Sequence, residues 1–122
     1  MKFQLESAQG KNLFTAYGDG YVTINKVRHE RPLVVSGDRV QFGWPAQWSD
    51  LTASHFEFLR AMQPEIVLLG TGPTQQFPSP ALPRCLFEAR IGFEVMATPA
   101  ACRTYNILIA EGRNAVAALW LP

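Results

Sequence analysis

Hydrophobic and polar residues follow different patterns in the two halves of the chain. Up to about Trp44, short runs of β-branched and aromatic residues are separated by glycine and aspartate. Such runs fill residues 13–25 around Gly18-Asp19-Gly20, and residues 33–42 around Gly37-Asp38. Because glycine supplies the positive φ that tight turns need, this half predicts two β-hairpins.

After Leu51 the apolar spacing switches between helical and extended. Helices are predicted to follow the N-cap candidates Thr52, Ser79 and Thr98 and to end near residues 63, 90 and 112. Short apolar strands are predicted over residues 65–69, 92–96 and 114–121. Strands joined by short helical crossovers favour a parallel arrangement covered by helices, so the sequence predicts an α/β fold.

Length and charge narrow this picture to one domain. The chain has 122 residues, of which 48% are hydrophobic, and this predicts a single globular domain over residues 1–122. The formal net charge is +1. The chain therefore lacks the surplus of basic residues that is typical of nucleic-acid-binding proteins. The densest basic stretch holds Lys26, Arg28 and Arg31, with Lys11 nearby. Acidic residues are interspersed there, and we interpret the stretch as a solvated face.

Apolar runs and cysteines bear on location. Residues 1–6 lack the apolar centre of a signal peptide. The longest apolar run, Ala115–Leu121, is far shorter than the roughly 20 residues of a membrane helix. We therefore predict a cytoplasmic protein that does not span a membrane. Cys85 and Cys102 are too few for a disulfide framework and are predicted to be thiols.

A glycine-rich turn after the first apolar strand of the second half is the main candidate binding feature. Gly70-Thr71-Gly72 stands where a phosphate loop would follow a strand. However, Gln75 occupies the place of the third glycine of a dinucleotide fingerprint, and the lysine–serine ending of a P-loop is absent. No cofactor is therefore predicted.

The same turn is expected to meet the start of the Thr98 helix, because loops that follow parallel strands gather at one sheet edge. This predicts a cleft for an anion or for a carboxylate of a partner. Its candidate residues are Gly70, Thr71, Gly72, Thr98, Cys102, Arg103 and Asn106. In the alternative interpretation, Asn106 satisfies nearby backbone groups and Arg103 reaches solvent.

Catalytic candidates are few. His29 and His55 show no metal-ligand spacing with cysteine or acidic residues, so no metal is predicted. Cys102 would lie in the first turn of a helix, where a thiol pKa is lowered, but a nucleophile also needs a nearby base. A buried packing thiol is the alternative. We predict no catalytic residue and favour a non-catalytic protein, while the residues leave an enzyme open.

Trp44 and Trp48 flank Pro45 in a predicted loop. Exposed tryptophans would form an interaction site, whereas buried ones would close one end of the sheet. The sequence leaves both interpretations open. If exposed, this loop and the apolar C-terminal strand are the candidates for a homodimer contact.

Four segments of the second half carry a family resemblance. In order along the chain they read PEIVLLGTG at residues 64–72, GFEVM at 92–96, AACRTYNIL at 100–108 and EGR at 111–113. The sequence resembles a small bacterial domain of unknown function that is related to a mitochondrial complex I assembly factor and to a vertebrate adipogenesis-associated protein. At Ala97 it departs from the aspartate expected in that family.

The resemblance implies a fold and a type of partner. The fold is a three-layer α/β arrangement whose central mixed, mostly parallel sheet has helices on its faces and extra N-terminal β-hairpins. The implied partners are proteins, with respiratory complex subunits as the candidates. The expected function is therefore that of a non-catalytic interaction module related to assembly factors. The alternative is a domain, an enzyme included, that binds a small ligand or anion in a cleft at the C-terminal edge of the strands.

Overall fold

The computed structural model describes residues 10–122. The N-terminal residues 1–6, which were considered for a signal segment, lie outside this range. The helices and strands, in chain order, are β1 Phe14–Gly18, β2 Tyr21–Ile24, β3 Val27–His29, β4 Leu33–Val35, β5 Val40–Gln41, α1 Ala53–Ala61, β6 Ile66–Thr71, α2 Arg84–Glu88, β7 Gly92–Met96, α3 Thr98–Ala110 and β8 Ala115–Trp120.

The main sheet has five strands in the order β5-β4-β8-β6-β7. Strand β6 pairs in parallel with β7 and with β8, whereas β4 pairs antiparallel with β5 and with β8. The two predicted hairpins are both present. One supplies the antiparallel edge of this mixed sheet, and the other lies in a separate sheet of order β1-β2-β3.

Three layers follow from how the two faces of the main sheet are covered. One face packs against α3 and the small sheet, through residues such as Tyr105, Phe14 and Val22. The opposite face packs against α1 and α2, through Phe56 and Leu86. The three-layer α/β prediction is confirmed.

Strand β8 lies at the centre of the sheet and is buried along its whole length. Ala117 and Leu119 belong to the core on the α3 side, and Val116 and Trp120 to the core on the α1 side. Both edges of β8 are paired, one with β4 and one with β6. The C-terminal strand therefore offers no free edge to a second copy of the chain, and the homodimer stays a prediction.

Strand β3 was not predicted, because the turn before it contains no glycine. Asn25 and Lys26 both adopt positive φ, at 48° and 70°, and form the two-residue connection from β2. A two-residue hairpin turn of this kind matches the twist of its strands, and asparagine tolerates positive φ better than most residues. Of the basic stretch interpreted as a solvated face, Arg28 lies in the exposed edge strand β3, Lys26 in the turn before it and Arg31 after it.

Two helix boundaries differ from their predictions. The helix predicted to follow Ser79 is confined to α2, because Pro83 lacks an N–H and disfavours a helical Leu82. Instead the Leu82 N–H closes a turn on the Ser79 carbonyl at 3.0 Å. Helix α3 has Ala97 as its N-cap, so the predicted cap at Thr98 is wrong by one residue. At α1 the Thr52 cap is confirmed, and the Thr52 N–H donates to His55 Nδ1 at 3.0 Å.

Candidate functional site

The glycine turn predicted to form a loop lies largely inside strand β6. Gly70 and Thr71 are the last two residues of β6, and Gly70 pairs with both Met96 and Leu119. A Cβ on Gly70 would lie 2.9 Å from Leu119 Cβ, 3.0 Å from Thr98 Oγ1 and 3.3 Å from Ala101 Cβ. Glycine is therefore required here because α3 packs directly onto the strand.

Thr98 joins three elements at the end of the sheet. Its hydroxyl is fully buried, accepts the Gly72 N–H at 2.8 Å and donates to the Trp120 carbonyl at 2.6 Å. In return the Thr98 N–H donates to the Gly72 carbonyl at 2.8 Å. This reciprocal pair fixes the loop after β6 to the start of α3, and φ of +92° at Gly72 lets the backbone turn there.

Thr71 organises the loop that follows. Its hydroxyl donates to the Thr74 carbonyl at 2.7 Å and accepts the Gln76 N–H at 3.1 Å. The Gln75 side chain reaches across to the Val95 carbonyl on the edge strand β7 at 2.9 Å. Gln75, which occupies the position of a third fingerprint glycine, therefore covers an edge carbonyl.

Cys102 lies on the inward face of α3 and is fully buried. Burial raises the pKa of its thiol to about 12, and the nearby Arg103 charge lowers it by less. The expectation of a lowered pKa is wrong, because burial outweighs the effect of the first helical turn. A neutral thiol without access to solvent is a packing group rather than a nucleophile.

The Cys102 thiol should make the fold less stable above about pH 9. The folded state keeps this proton up to the raised pKa, whereas the unfolded chain releases it near the ordinary value of 9.0. Stability therefore falls by up to ~1.4 kcal/mol per pH unit between those values. Urea unfolding at about pH 8 and about pH 10.5 measures this decrease in the free energy of unfolding. The decrease should be about 2 kcal/mol smaller in Cys102→Ala than in the wild type. Equal losses in the two proteins would contradict the assignment.

Asn106 holds α3 to strand β1. Its Oδ1 accepts the Phe14 N–H at 2.9 Å, and its Nδ2 donates to the Phe14 carbonyl at 2.8 Å. The side chain thus completes both backbone hydrogen bonds of a strand residue. This is the structural role that the sequence left open for Asn106.

Arg103 is the member of the predicted set that is exposed. Its Nη1 donates to the Tyr17 hydroxyl at 2.7 Å. One turn further along the same face of α3, Ile107 is 59% exposed. The predicted cleft residues therefore divide into a buried seam between β6 and α3 and an exposed surface at Arg103.

The tryptophan loop closes one end of the main sheet. Trp44 is buried, with its ring centroid 5.7 Å from that of Trp120, and half-buried Trp48 lies 5.2 Å from Trp120. Trp120 Nε1 donates to the Pro45 carbonyl at 2.8 Å. Trp44 is therefore part of the core, and an interaction role at Trp48 stays a prediction.

A cleft of about 480 Å³ lies at the other end of the parallel strands from the predicted one. It is bounded by the β4–β5 turn and by the ends of α1 and α3. Its charged and amide side chains are Lys11, Asp38, Arg39, Arg113 and Asn114. These residues come from separate stretches of the chain with no shared motif, so no local sequence signal could have revealed the cleft.

Within residues 10–122, no three histidine, cysteine or acidic side chains converge as metal ligands would. The same part of the chain contains no helix that is both long and apolar enough to cross a bilayer.

The family model described as a protein of unknown function (DUF498/DUF598) matches residues 14–120. The chain belongs to this DUF498/DUF598 family. A crystal structure of another protein, from Bordetella parapertussis, is similar to it with a TM-score of 0.87 and 41% identity over 95% of this chain and all of that one.

Two relatives of this DUF498/DUF598 protein carry descriptive names. The 13 kDa major membrane protein of Francisella tularensis is 32% identical over 117 residues, which cover 93% of this chain and 94% of that protein. The bovine NADH dehydrogenase [ubiquinone] 1 alpha subcomplex assembly factor 3 is 38% identical over 106 residues. That match covers 75% of this chain but only 57% of the bovine protein.

Proposed function

We propose that this protein is a non-catalytic interaction module that helps to assemble a respiratory or other membrane complex. The observation that carries the proposal is the 38% identity with the bovine assembly factor, which extends through most of this chain. The proposal concerns the shared domain, because the chain spans little more than half of the bovine protein. We further propose that it acts from the cytoplasm, which cell fractionation would test.

The geometry around α3 supports a binding role rather than a catalytic one. The polar side-chain atoms of Thr98 and Asn106 form hydrogen bonds with backbone groups of other elements. Cys102 is a buried, protonated thiol. General acid–base or nucleophilic chemistry needs a group that can reach a substrate in the required protonation state. These three residues instead make α3 a rigid support for its exposed side.

We place the partner-binding surface on that exposed side, at Arg103, Tyr17 and Ile107. Arginine and tyrosine are enriched among residues that dominate binding energy in protein interfaces. Here the hydrogen bond from Arg103 to Tyr17 holds the guanidinium, and the exposed Ile107 lies one turn along the same face of α3. A rigid arginine beside an apolar side chain loses less conformational entropy when a partner binds.

The test is affinity purification of the tagged protein from its own cells, read by mass spectrometry. Subunits of a membrane complex should be enriched with the wild type and reduced about tenfold or more with Arg103→Ala/Ile107→Ser, as expected when two central interface residues are lost. The control is Arg84→Ala/Phe87→Ser, which removes an exposed arginine and a similarly exposed apolar residue from α2. Circular dichroism verifies that both variants fold.

Two results would count against the proposal. If the wild type enriches no membrane-complex subunit, the assembly role fails. If both double variants lose the same subunits equally, the α3 surface is not the binding site.

A further inference from the structure

The exposed edge strand β3 is the second candidate interaction surface, and its geometry differs from that of α3. Strands β2 and β3 are joined by two residues, and the register pairs Ile24 with Val27, Thr23 with Arg28 and Val22 with His29. In a two-residue hairpin the residues that flank the turn form a hydrogen-bonded pair, and such pairs alternate with non-hydrogen-bonded ones. Arg28 is in a non-hydrogen-bonded pair, so its backbone N–H and carbonyl point away from β2.

The arginines beside this edge are held over aromatic rings. The Arg28 Cζ lies 4.0 Å from the centroid of the Tyr21 ring, and the Arg31 Cζ lies 3.7 Å from that of Phe42. Phe42 is itself 40% exposed. Stacking orients a guanidinium while leaving its N–H groups at the ring edge free to bind carboxylates in pairs.

A shallow crevice runs between these two stacked arginines. It is lined by Arg28, His29, Glu30, Arg31 and Phe42. His29 packs on Phe42 with ring centroids 5.5 Å apart. Burial, and then the charge of Arg31, lower the pKa of His29, so the positive charge of the crevice comes from the arginines at neutral pH.

The residues around this edge carry a larger positive net charge than the whole chain. Residues 26–31 hold three cations and one carboxylate, a net charge of +2, whereas the whole chain carries +1. The single carboxylate, Glu30, binds Arg28 Nε at 2.6 Å. Within residues 10–122, Arg31 forms no salt bridge, so its charge is uncompensated.

We propose that this surface, β3 with Lys26, Arg31 and Phe42, binds an extended acidic segment of a partner protein as an added strand. We call it the basic edge. The outward N–H and carbonyl of Arg28 would pair with the segment's backbone, and its acidic side chains would meet the stacked guanidiniums. Three cations would neutralise only about three phosphates, fewer than the roughly 6–10 phosphate contacts of strongly salt-dependent DNA binders. Binding of such a segment does not require that the partner belong to a respiratory complex.

The experiment is an NMR titration of the full chain with a capped eight-residue peptide that alternates glutamate and threonine. Backbone amide shifts should concentrate on residues 26–31 and Phe42. A peptide with glutamine in place of glutamate should bind at least about tenfold more weakly, because the charge-assisted hydrogen bonds are lost.

Matched variants separate a specific site from general charge. Arg28→Glu/Arg31→Glu should weaken binding by about tenfold or more, whereas Arg84→Glu/Arg90→Glu, which changes the net charge equally, should change it less than about twofold. Arg31→Gln alone should still weaken binding, and it disturbs no ion pair within residues 10–122. The amide spectrum of each free variant reports whether it is folded.

Three outcomes overturn the inference. The first is that the peptide does not bind, in which case the charges only keep the edge strand from self-pairing. The second is that the amide shifts spread over all exposed arginines. The third is that vesicles of phosphatidylserine and phosphatidylcholine bind the protein through Arg28 and Arg31 while the peptide does not bind, in which case the edge binds lipid.

Discussion

Thr98→Val should destabilise the fold by about 3 kcal/mol, although the two side chains have nearly the same shape. Valine removes the hydroxyl that accepts the Gly72 N–H and donates to the Trp120 carbonyl, both in a fully buried position. Each buried backbone group left without a partner costs about 1–3 kcal/mol. Urea unfolding followed by circular dichroism measures the change in the free energy of unfolding.

The control for this effect is Thr98→Ser, which keeps the hydroxyl and removes only a methyl group. Its cost should be about 1 kcal/mol, close to that of one buried methylene. If valine were tolerated as well as serine, the bridge between the loop after β6 and β8 would carry no stabilisation.

Gly70→Ala should destabilise the fold by about 2 kcal/mol and lower the Tm by roughly 8 °C. The added methyl would lie within 3.0 Å of Leu119 Cβ and of Thr98 Oγ1, so α3 has to move away from the sheet. Overpacking of this kind costs about 1–3 kcal/mol, and the smaller entropy of the unfolded alanine chain offsets only part of it.

Gly37→Ala is the matched control. Its added methyl would meet only the flexible Lys11 side chain, at 3.0 Å, and so its effect should stay within about 0.5 kcal/mol of zero. Similar losses of stability at the two glycines would show that the close contact of α3 with β6 does not decide the effect. Differential scanning calorimetry of the three proteins gives the comparison.

The fold could be predicted from the sequence where the apolar pattern is strong and the turn chemistry is conventional. Strand β7 begins and ends at the predicted residues. The strand predicted over residues 65–69 is β6, Ile66–Thr71, which is buried from Val67 onward. Strand β3 was not predicted because the turn before it is formed by Asn25 and Lys26 and contains no glycine. The start of α2 differs from the prediction because Pro83 disfavours a helix that begins directly after Ser79.

The sequence indicated residues of the candidate site but not the role of each side chain. The sequence predicts that Gly70, Thr98 and Asn106 lie in one region. In the structure Gly70 and Thr98 meet where α3 packs on β6, whereas Asn106 joins α3 to β1. Whether a hydroxyl or amide faces solvent or a backbone group depends on tertiary contacts that no local pattern encodes. Asn106 and Phe14, for example, are 92 residues apart in the chain.

The central position of β8 bears on how the protein folds during synthesis. Because translation proceeds from the N-terminus, the β4–β5 hairpin and the β6–β7 pair emerge from the ribosome before the strand that joins them. Until β8 is released, the apolar edges of β4 and β6 stand open, and they are the kind of surface that chaperones recognise. The five-stranded sheet can therefore be completed only after β8, the last of its strands to be synthesised, has left the ribosome.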